Sequence, residues 1–231
     1  MFVLITGSNR GLGLSFTKLF LEKGYTVFAC RRKISKGLNE LKNQYKDKLI
    51  EIKMDVSIES SVRRASKKIK KITDRLDILI NNAAIYDAKA EEKYIEDVDI
   101  ESVIKTFKTN SLGPLIVLKY FFFFVFKAKG TIVNISSEAG SIEDAWRDRT
   151  FGYCMSKASL NMLSAILANY CKDKEVKVLV IHPGWLKTDM GGKDATLDPL
   201  ESARSIINLI ENSKKDTKIT LLNHLGEPMK W

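Results

Sequence analysis

Cysteine and histidine are scarce in this chain of 231 residues, which contains three cysteines and two histidines. Cys30, Cys154 and Cys171 are odd in number and lack the spacing of metal ligands, which excludes a disulfide framework and a cysteine zinc site. Free thiols suit a reducing compartment, so we predict a cytoplasmic protein. With only His182 and His224 available, we expect no histidine-based metal site either.

The chain also lacks a hydrophobic run long enough to cross a membrane. Its longest apolar stretch, residues 112–126, is interrupted by Gly113, Pro114 and Lys119, whereas a membrane helix needs about 20 apolar residues. Met1 leads directly into a predicted strand, which leaves no room for a signal or transit peptide. We therefore expect no association with a membrane.

Negative charge is the minority, because 38 lysines and arginines face 28 acidic residues and give a formal net charge of +10. A basic chain is a candidate for nucleic-acid binding. Here, however, the lysines are spread over predicted helical surfaces such as residues 63–71, and no recognised nucleic-acid motif accompanies them. We interpret the charge as a solvated surface and expect no nucleic-acid partner.

What the chain does have is a regular alternation of strand-like and helix-like segments. The strand-like runs, such as VLVI at residues 178–181, are apolar without alternation, as is typical of strands buried on both faces. We predict a single α/β domain over residues 1–231, a doubly wound Rossmann domain whose seven-stranded parallel sheet has helices on both faces. The predicted strands are residues 2–6, 26–30, 49–54, 76–81, 130–136, 176–182 and 218–222, and the predicted helices are residues 13–23, 35–45, 58–73, 100–126, 152–171 and 199–212.

A glycine-rich turn, TGSNRGLG, separates the first predicted strand from the first predicted helix. Glycines at Gly7, Gly11 and Gly13 allow the backbone to approach a pyrophosphate closely. The helix N-terminus that follows offers free N–H groups and the positive end of the helix dipole to an anion. Tyr153 and Lys157 lie downstream, one helical turn apart, after a strand that ends in two serines. In this order the features predict a protein that binds a dinucleotide and transfers a hydride.

Seven motifs together resemble the short-chain dehydrogenase/reductase family over essentially the whole chain. They are TGSNRGLG, Asp55-Val56, NNAA (residues 81–84), TNSLG (residues 109–113), VNISS (residues 133–137), YCMSK (residues 153–157) and HPGW (residues 182–185). Within the family the chain is most similar to the small carbonyl reductases of the C-factor and sniffer type, on the basis of SSEAGSI, HPGWLKTDMGG and GEPMKW.

The resemblance implies four catalytic residues: Tyr153, Lys157, Ser137 and Asn110. Tyr153 is expected to deliver the proton in carbonyl reduction. We expect the charge of Lys157, together with an oxidised nicotinamide, to lower the pKa of this phenol from about 10. Ser137, rather than Ser136, would stabilise the substrate oxygen, because strand alternation points the two hydroxyls in different directions. Asn110 would fix a helix distortion and a water that links Lys157 to solvent, although a purely structural role stays open.

The resemblance also implies a set of cofactor-binding residues. Arg31 stands where an NAD-selective enzyme has an acidic residue, and Arg10 and Arg32 are expected nearby to bind a 2′-phosphate. We expect no carboxylate there to repel the phosphate, so we predict NADP(H), with NAD(H) as the alternative. The predicted cofactor residues are Gly7, Ser8, Asn9, Arg10, Gly11, Leu12, Gly13, Arg31, Arg32, Asp55, Val56, Asn82, Ala83, Ala84, Tyr153, Lys157, Pro183, Gly184, Trp185 and Thr188.

The substrate is expected to be a small aldehyde or ketone with some apolar bulk, held under a lid formed by residues 185–198. A plain surface loop is the alternative for this segment. The predicted substrate residues are Ser137, Tyr86, Trp146, Trp185 and Met190, and apart from Ser137 they are equally compatible with ordinary packing.

Three further expectations concern function and assembly. The first alternative function is a dinucleotide-binding signalling or sensor protein with vestigial catalysis, and an epimerase or dehydratase is a more remote one. The resemblance also implies a homodimer formed through the long central helices, near the phenylalanine cluster 121–124.

Overall fold

Strands and helices alternate along the chain in the computed structural model, which describes residues 1–213 and 219–231. The strands are β1 (Phe2–Thr6), β2 (Thr26–Arg31), β3 (Leu49–Lys53), β4 (Ile78–Asn81), β5 (Thr131–Ile135), β6 (Lys177–Ile181), β7 (Leu221–Leu222) and β8 (Pro228–Met229). The helices are α1 (Gly11–Glu22), α2 (Lys36–Tyr45), α3 (Glu59–Lys70), α4 (Ala88–Glu91), α5 (Ile100–Phe107), α6 (Gly113–Ala128), α7 (Phe151–Cys171) and α8 (Pro199–Asn212).

All the strands belong to one sheet with the order β3-β2-β1-β4-β5-β6-β7-β8 over the described ranges. Strands β1 to β7 run parallel, which confirms the predicted α/β fold and its seven parallel strands. The sequence did not predict β8, a two-residue strand that pairs antiparallel with β7. The predicted last strand also began too early: Lys218 lies outside the described residues, and β7 begins at Leu221.

Two hydrophobic clusters cover the two faces of this sheet. On one face Phe16 and Phe20 of α1 and Ile206 of α8 are fully buried. On the other face Phe121 and Val125 of α6 are equally buried. Because both faces are covered, the strands need no polar alternation, which explains their continuous apolar runs. Strand order reverses beside β1, and open α/β sheets bind ligands at such a point, outside the carboxyl ends of the strands.

The long central helix departs from the predicted continuous helix 100–126. It consists of α5, a π-helical segment (Lys108–Leu112) and α6, and it ends at Ala128. The expectation that no stretch is long enough to cross a membrane is therefore wrong, because Ile100–Ala128 is long and apolar enough by length and composition alone. The same property is found in core helices, and Val117, Phe121 and Val125 are fully buried against the sheet. The packing thus favours a core helix, and the absence of membrane association stays a prediction.

Candidate active site

The glycine turn forms a tight cradle between β1 and α1. Gly7 has a φ of +65°, a left-handed conformation that favours glycine. A Cβ on Gly13 would lie 2.2 Å from the carbonyl oxygen of Gly7, so no side chain fits there. The Asn82 amide donates to the Thr6 carbonyl oxygen at 2.9 Å and ties the end of β4 to this turn. A second hydrogen bond from the same amide to the Gly7 carbonyl oxygen, at 3.2 Å, fixes the turn further.

A cleft of about 380 Å³ opens at the carboxyl ends of the strands. Residues from the glycine turn, from the ends of β2 to β6, from the start of α7 and from the segment after β6 line it. Every predicted cofactor residue lines this cleft except Ser8, Gly184 and Trp185. The sequence motifs therefore converge on one site.

The structure places these three residues outside the cleft lining. The Ser8 side chain is fully buried and donates to the Cys30 carbonyl oxygen at 3.0 Å, so it braces the turn from behind. Gly184 has a φ of +87° and shapes the chain below the cleft. The Trp185 indole nitrogen donates to the Gly191 carbonyl oxygen at 2.7 Å, which holds the ring within its own loop.

Each arginine predicted to bind a 2′-phosphate already has a carboxylate partner. The Nε of Arg31 donates to Glu51 Oε2 at 2.6 Å, and both side chains are largely buried. Arg10 bonds Asp189 at 2.6 Å in an exposed pair.

Arg32 lies 3.9 Å from Asp55. The expectation of a site without carboxylates is therefore wrong, because acidic residues on β3, after β3 and after β6 fold against these arginines.

Tyr153 and Lys157 line the other end of the cleft. Ser137 lies beside the Tyr153 phenol but outside the described lining, which includes Ser136. Lys157 is buried, its Nζ lies 5.6 Å from the centre of the Tyr153 ring, and it donates to the Ile135 carbonyl oxygen at 2.8 Å. The Ser137 hydroxyl lies close enough to the Tyr153 phenol to lower its pKa. Ser137 follows the end of β5, and α7 carries Tyr153 and Lys157. Two elements therefore bring the predicted group together.

The electrostatics of this group differ from the prediction. Burial raises the pKa of Tyr153 to about 12, and the neighbouring Ser137 hydroxyl is the largest opposing effect. Burial also lowers the pKa of Lys157 to about 8. The expected lowering of the phenol pKa is therefore not found in the protein by itself, because loss of solvent outweighs the nearby charges. At neutral pH the phenol keeps its proton and most of the lysine stays charged.

The two neighbouring serines diverge as predicted from strand alternation. Ser136 donates to Asn161 Oδ1 at 2.5 Å, and both side chains are buried. This bond commits the Ser136 hydroxyl to α7. Ser137 reaches Tyr153 instead.

Asn110 lies in the π-helical segment, which confirms the predicted helix distortion. Its Oδ1 accepts from the Ile85 backbone N–H at 2.8 Å, and its Nδ2 donates to the Ile85 carbonyl oxygen at 3.0 Å and to Ser156 Oγ at 3.1 Å. Asn110 does not line the cleft in the part of the chain that is described. It links the segment after β4 to the helical turn that carries Lys157.

The predicted substrate residues are only partly brought together. Met190 lines the cleft, and the Tyr86 ring packs edge-on against the Tyr153 ring with centroids 5.2 Å apart. Trp146 is 74% exposed and stacks on Arg147, so its predicted contact with substrate is not supported. Trp185, like Trp146, lies outside the cleft lining. Arg147, on which Trp146 stacks, is itself fixed by two hydrogen bonds of 2.6 and 2.7 Å to Glu138.

Sequence reasoning missed several residues of the site. Glu51 and Asp189 bind the arginines, and Glu91 accepts a hydrogen bond from the backbone of Tyr153 at 3.0 Å. Glu51 is in register with Ala29 and lies on the same face of the sheet as Arg31, so alternation gives only the face and the register gives the pairing. No local signal points to Glu91.

Comparisons with known proteins agree with this geometry. The family model for short chain dehydrogenases matches residues 1–197. A carbonyl reductase from chicken fatty liver, solved with bound NADPH, is 29% identical with a TM-score of 0.90, covering 99% of this chain and 98% of its own. The carbonyl reductase Sniffer of Drosophila melanogaster is 27% identical with a TM-score of 0.92 and the same coverage.

A third relative is the C-signal of Myxococcus xanthus, which is 30% identical over 69% of this chain and 95% of its own length. These similarities bear out the resemblance to carbonyl reductases of the C-factor and sniffer type. The chain therefore belongs to the short-chain dehydrogenase/reductase family of oxidoreductases.

Proposed function

We propose that this protein is an NADPH-dependent carbonyl reductase that acts on a small aldehyde or ketone with some apolar bulk. One observation carries the proposal: a phenol and a buried amine line one end of a single cleft, a serine hydroxyl lies beside the phenol, and arginines line the other end. The solved relative from chicken binds NADPH, which supports the same cofactor here.

The residues of the cleft fit such a dinucleotide. Gly7 and Gly13 let the turn pack closely, because a Cβ on either would collide with neighbouring backbone. The first turn of α1 lines the cleft without a side-chain cap, so its free N–H groups are available to a pyrophosphate. Arg31 donates to Glu51 through its Nε, which leaves its two terminal nitrogens for a 2′-phosphate. Bound NADPH would supply the hydride for the carbonyl carbon.

The side chains of this protein would handle the proton and the developing charge. With its pKa raised to about 12, the Tyr153 phenol is protonated at neutral pH and can donate to the substrate oxygen. Ser137 would donate a hydrogen bond to the same oxygen as it becomes negative. Lys157 is anchored by one hydrogen bond to Ile135, and its remaining hydrogens are available to the cofactor ribose.

Replacement of Tyr153 by phenylalanine tests the proposal. Tyr153→Phe removes the phenol proton and keeps the ring, so we expect NADPH-dependent turnover to fall by at least about 100-fold. NADPH affinity, measured by fluorescence titration, should stay near the wild-type value. Wild-type turnover in this variant would refute the assignment of the proton donor.

A signalling or sensor function is the second candidate, and the similarity to the C-signal favours it. A pure sensor needs to bind the dinucleotide but does not need the group formed by Tyr153, Lys157 and Ser137. A panel of aldehydes and ketones with NADPH consumption as the readout separates the two. Dinucleotide binding without turnover of any compound would favour the sensor.

We also propose that two copies assemble through the exposed faces of α6 and α7. Met162, Ile166 and Tyr170 on α7 and Phe123 on α6 are each more than half exposed. Such a row of apolar side chains is unusual on a free surface and typical of an interface. A cytoplasmic location and the absence of nucleic-acid partners stay predictions.

A further inference from the structure

Glu91 is a buried carboxylate beside the N-terminus of α7. It is 4% exposed and is the last residue of α4. Its Oε2 accepts a hydrogen bond from the backbone N–H of Tyr153 at 3.0 Å. Its Oε1 has no hydrogen-bond partner among the described residues. Burying an unpaired acceptor is destabilising, the more so if the acceptor is charged, so this position calls for a physical explanation.

The N-terminus of α7 has no cap of its own within the described part of the chain. Thr150 precedes the helix with a left-handed φ of 64°, and its hydroxyl donates to the Arg149 carbonyl oxygen at 2.6 Å. Helix α7 starts at Phe151, so Tyr153 is its third residue. An N-cap side chain ordinarily accepts from the N–H of the second or third residue. Glu91 occupies that role from a distant segment.

Charge and space at this helix end fit the carboxylate. The first turn, Phe-Gly-Tyr-Cys, contains no acidic residue, so Glu91 supplies the negative charge that a helix N-terminus favours. A Cβ on Gly152 would lie 2.6 Å from Glu91 Oε1, so only glycine leaves room for the carboxylate. The Glu91 carbonyl oxygen also accepts from the Thr150 N–H at 2.9 Å, which holds both sides of the helix start.

The segment after β4 also contacts the side chain of Tyr153. Tyr86, five residues before Glu91, packs its ring against the Tyr153 ring, and its hydroxyl donates to Glu92 at 3.0 Å. The segment after β4 therefore contacts Tyr153 at its backbone and at its ring. Tyr153 belongs to the first turn of α7, so fraying of that turn would displace the phenol.

We propose that Glu91 is a positioning residue for Tyr153: its carboxylate caps α7 in place of an N-cap side chain and thereby fixes the phenol in the cleft. The proposal rests on the proposed role of Tyr153 as the proton donor.

The test compares Glu91→Ala with Glu91→Gln, which keeps an oxygen acceptor. For Glu91→Ala we expect kcat to fall by about 10- to 100-fold, as misplacement of a reacting group does, with unchanged NADPH affinity. Glu91→Gln should recover most of the loss. Asp99→Ala is the matched control, because Asp99 caps α5 by accepting from the N–H groups of Glu101 and Ser102. It should lower the melting temperature and leave kcat unchanged.

Wild-type kcat in Glu91→Ala, or an equal loss in Asp99→Ala, would overturn the proposal. If Glu91→Ala does not fold, Gly152→Ala replaces it, because the added methyl group would lie 2.6 Å from Glu91 Oε1 and displace it, although it also approaches Val103 Cα at 3.1 Å. We expect the same loss of kcat with NADPH affinity retained, and wild-type kcat would count against the proposal.

Amide hydrogen exchange tests the cap on α7 independently of the proposed function. If the wild type reduces no carbonyl compound, the proposed function fails by itself. Faster exchange of the Tyr153 amide in Glu91→Ala, with α5 unchanged, still supports the cap. Unchanged exchange at that amide overturns it.

Discussion

Removal of the Arg31 guanidinium should change the choice between NADPH and NADH. Arg31 lines the cleft at the end of β2, and its Nε is held by Glu51 at 2.6 Å. A hydrogen bond to a charged group contributes about 1.5–3 kcal/mol, which corresponds to about 10- to 150-fold in a dissociation constant. We expect Arg31→Ala to weaken NADPH binding by that factor and to leave NADH binding almost unchanged, because NADH has no 2′-phosphate.

Replacement of Glu51 should have the opposite effect on NADPH binding. Glu51→Gln keeps an oxygen acceptor for the Arg31 Nε and removes a negative charge from the phosphate's surroundings. At a separation of roughly 6 Å in a water-like dielectric the charge contributes about 0.7 kcal/mol, so NADPH should bind about threefold more tightly. Added salt should reduce this gain.

Fluorescence titration of both reduced dinucleotides against wild type, Arg31→Ala and Glu51→Gln measures these effects directly. Equal weakening of NADPH and NADH in Arg31→Ala would refute the reasoning, since it would place Arg31 away from the 2′-position. An unchanged NADPH affinity in both variants would refute it as well.

Two further predictions concern pH and assembly. Burial lowers the pKa of Lys157 to about 8 from 10.5. Between these pH values the unfolded chain binds more protons than the folded protein. Burial of this lysine therefore becomes less unfavourable as pH rises through that window. The free energy of unfolding of wild type relative to Lys157→Met should therefore increase by about 3 kcal/mol from below pH 8 to above pH 10.5, measured by urea denaturation; parallel curves would contradict this. For assembly, Met162→Lys with Ile166→Lys should convert a dimer to a monomer in light scattering, whereas the exposed control Ile72→Lys should not; a wild-type monomer would exclude the interface.

Local patterns in the sequence specify much of the fold and the centre of the site. Tyr153 and Lys157 lie on one side of α7 because a helix places residues four apart on the same face. The glycine turn can be interpreted in the same way, since Gly7 and Gly13 stand where a side chain would collide with backbone. Alternation along β5 separates Ser137 from Ser136 without any knowledge of neighbouring elements.

The electrostatic environment of the site depends on residues distant in the chain. Asp189 reaches Arg10 across 179 residues, and Glu91 reaches the backbone of Tyr153 across 62. Burial of the phenol, which raises its pKa instead of lowering it, also arises from packing of several segments.

The sequence by itself therefore determined the α/β alternation, the glycine turn and the placement of Tyr153 and Lys157 on one face of α7, because short-range periodicity and motif spacing encode them. Only the tertiary structure decided which carboxylates pair with the arginines, how α7 is capped and how strongly the tyrosine holds its proton. Those properties depend on distances and solvent exclusion between segments that meet only after folding.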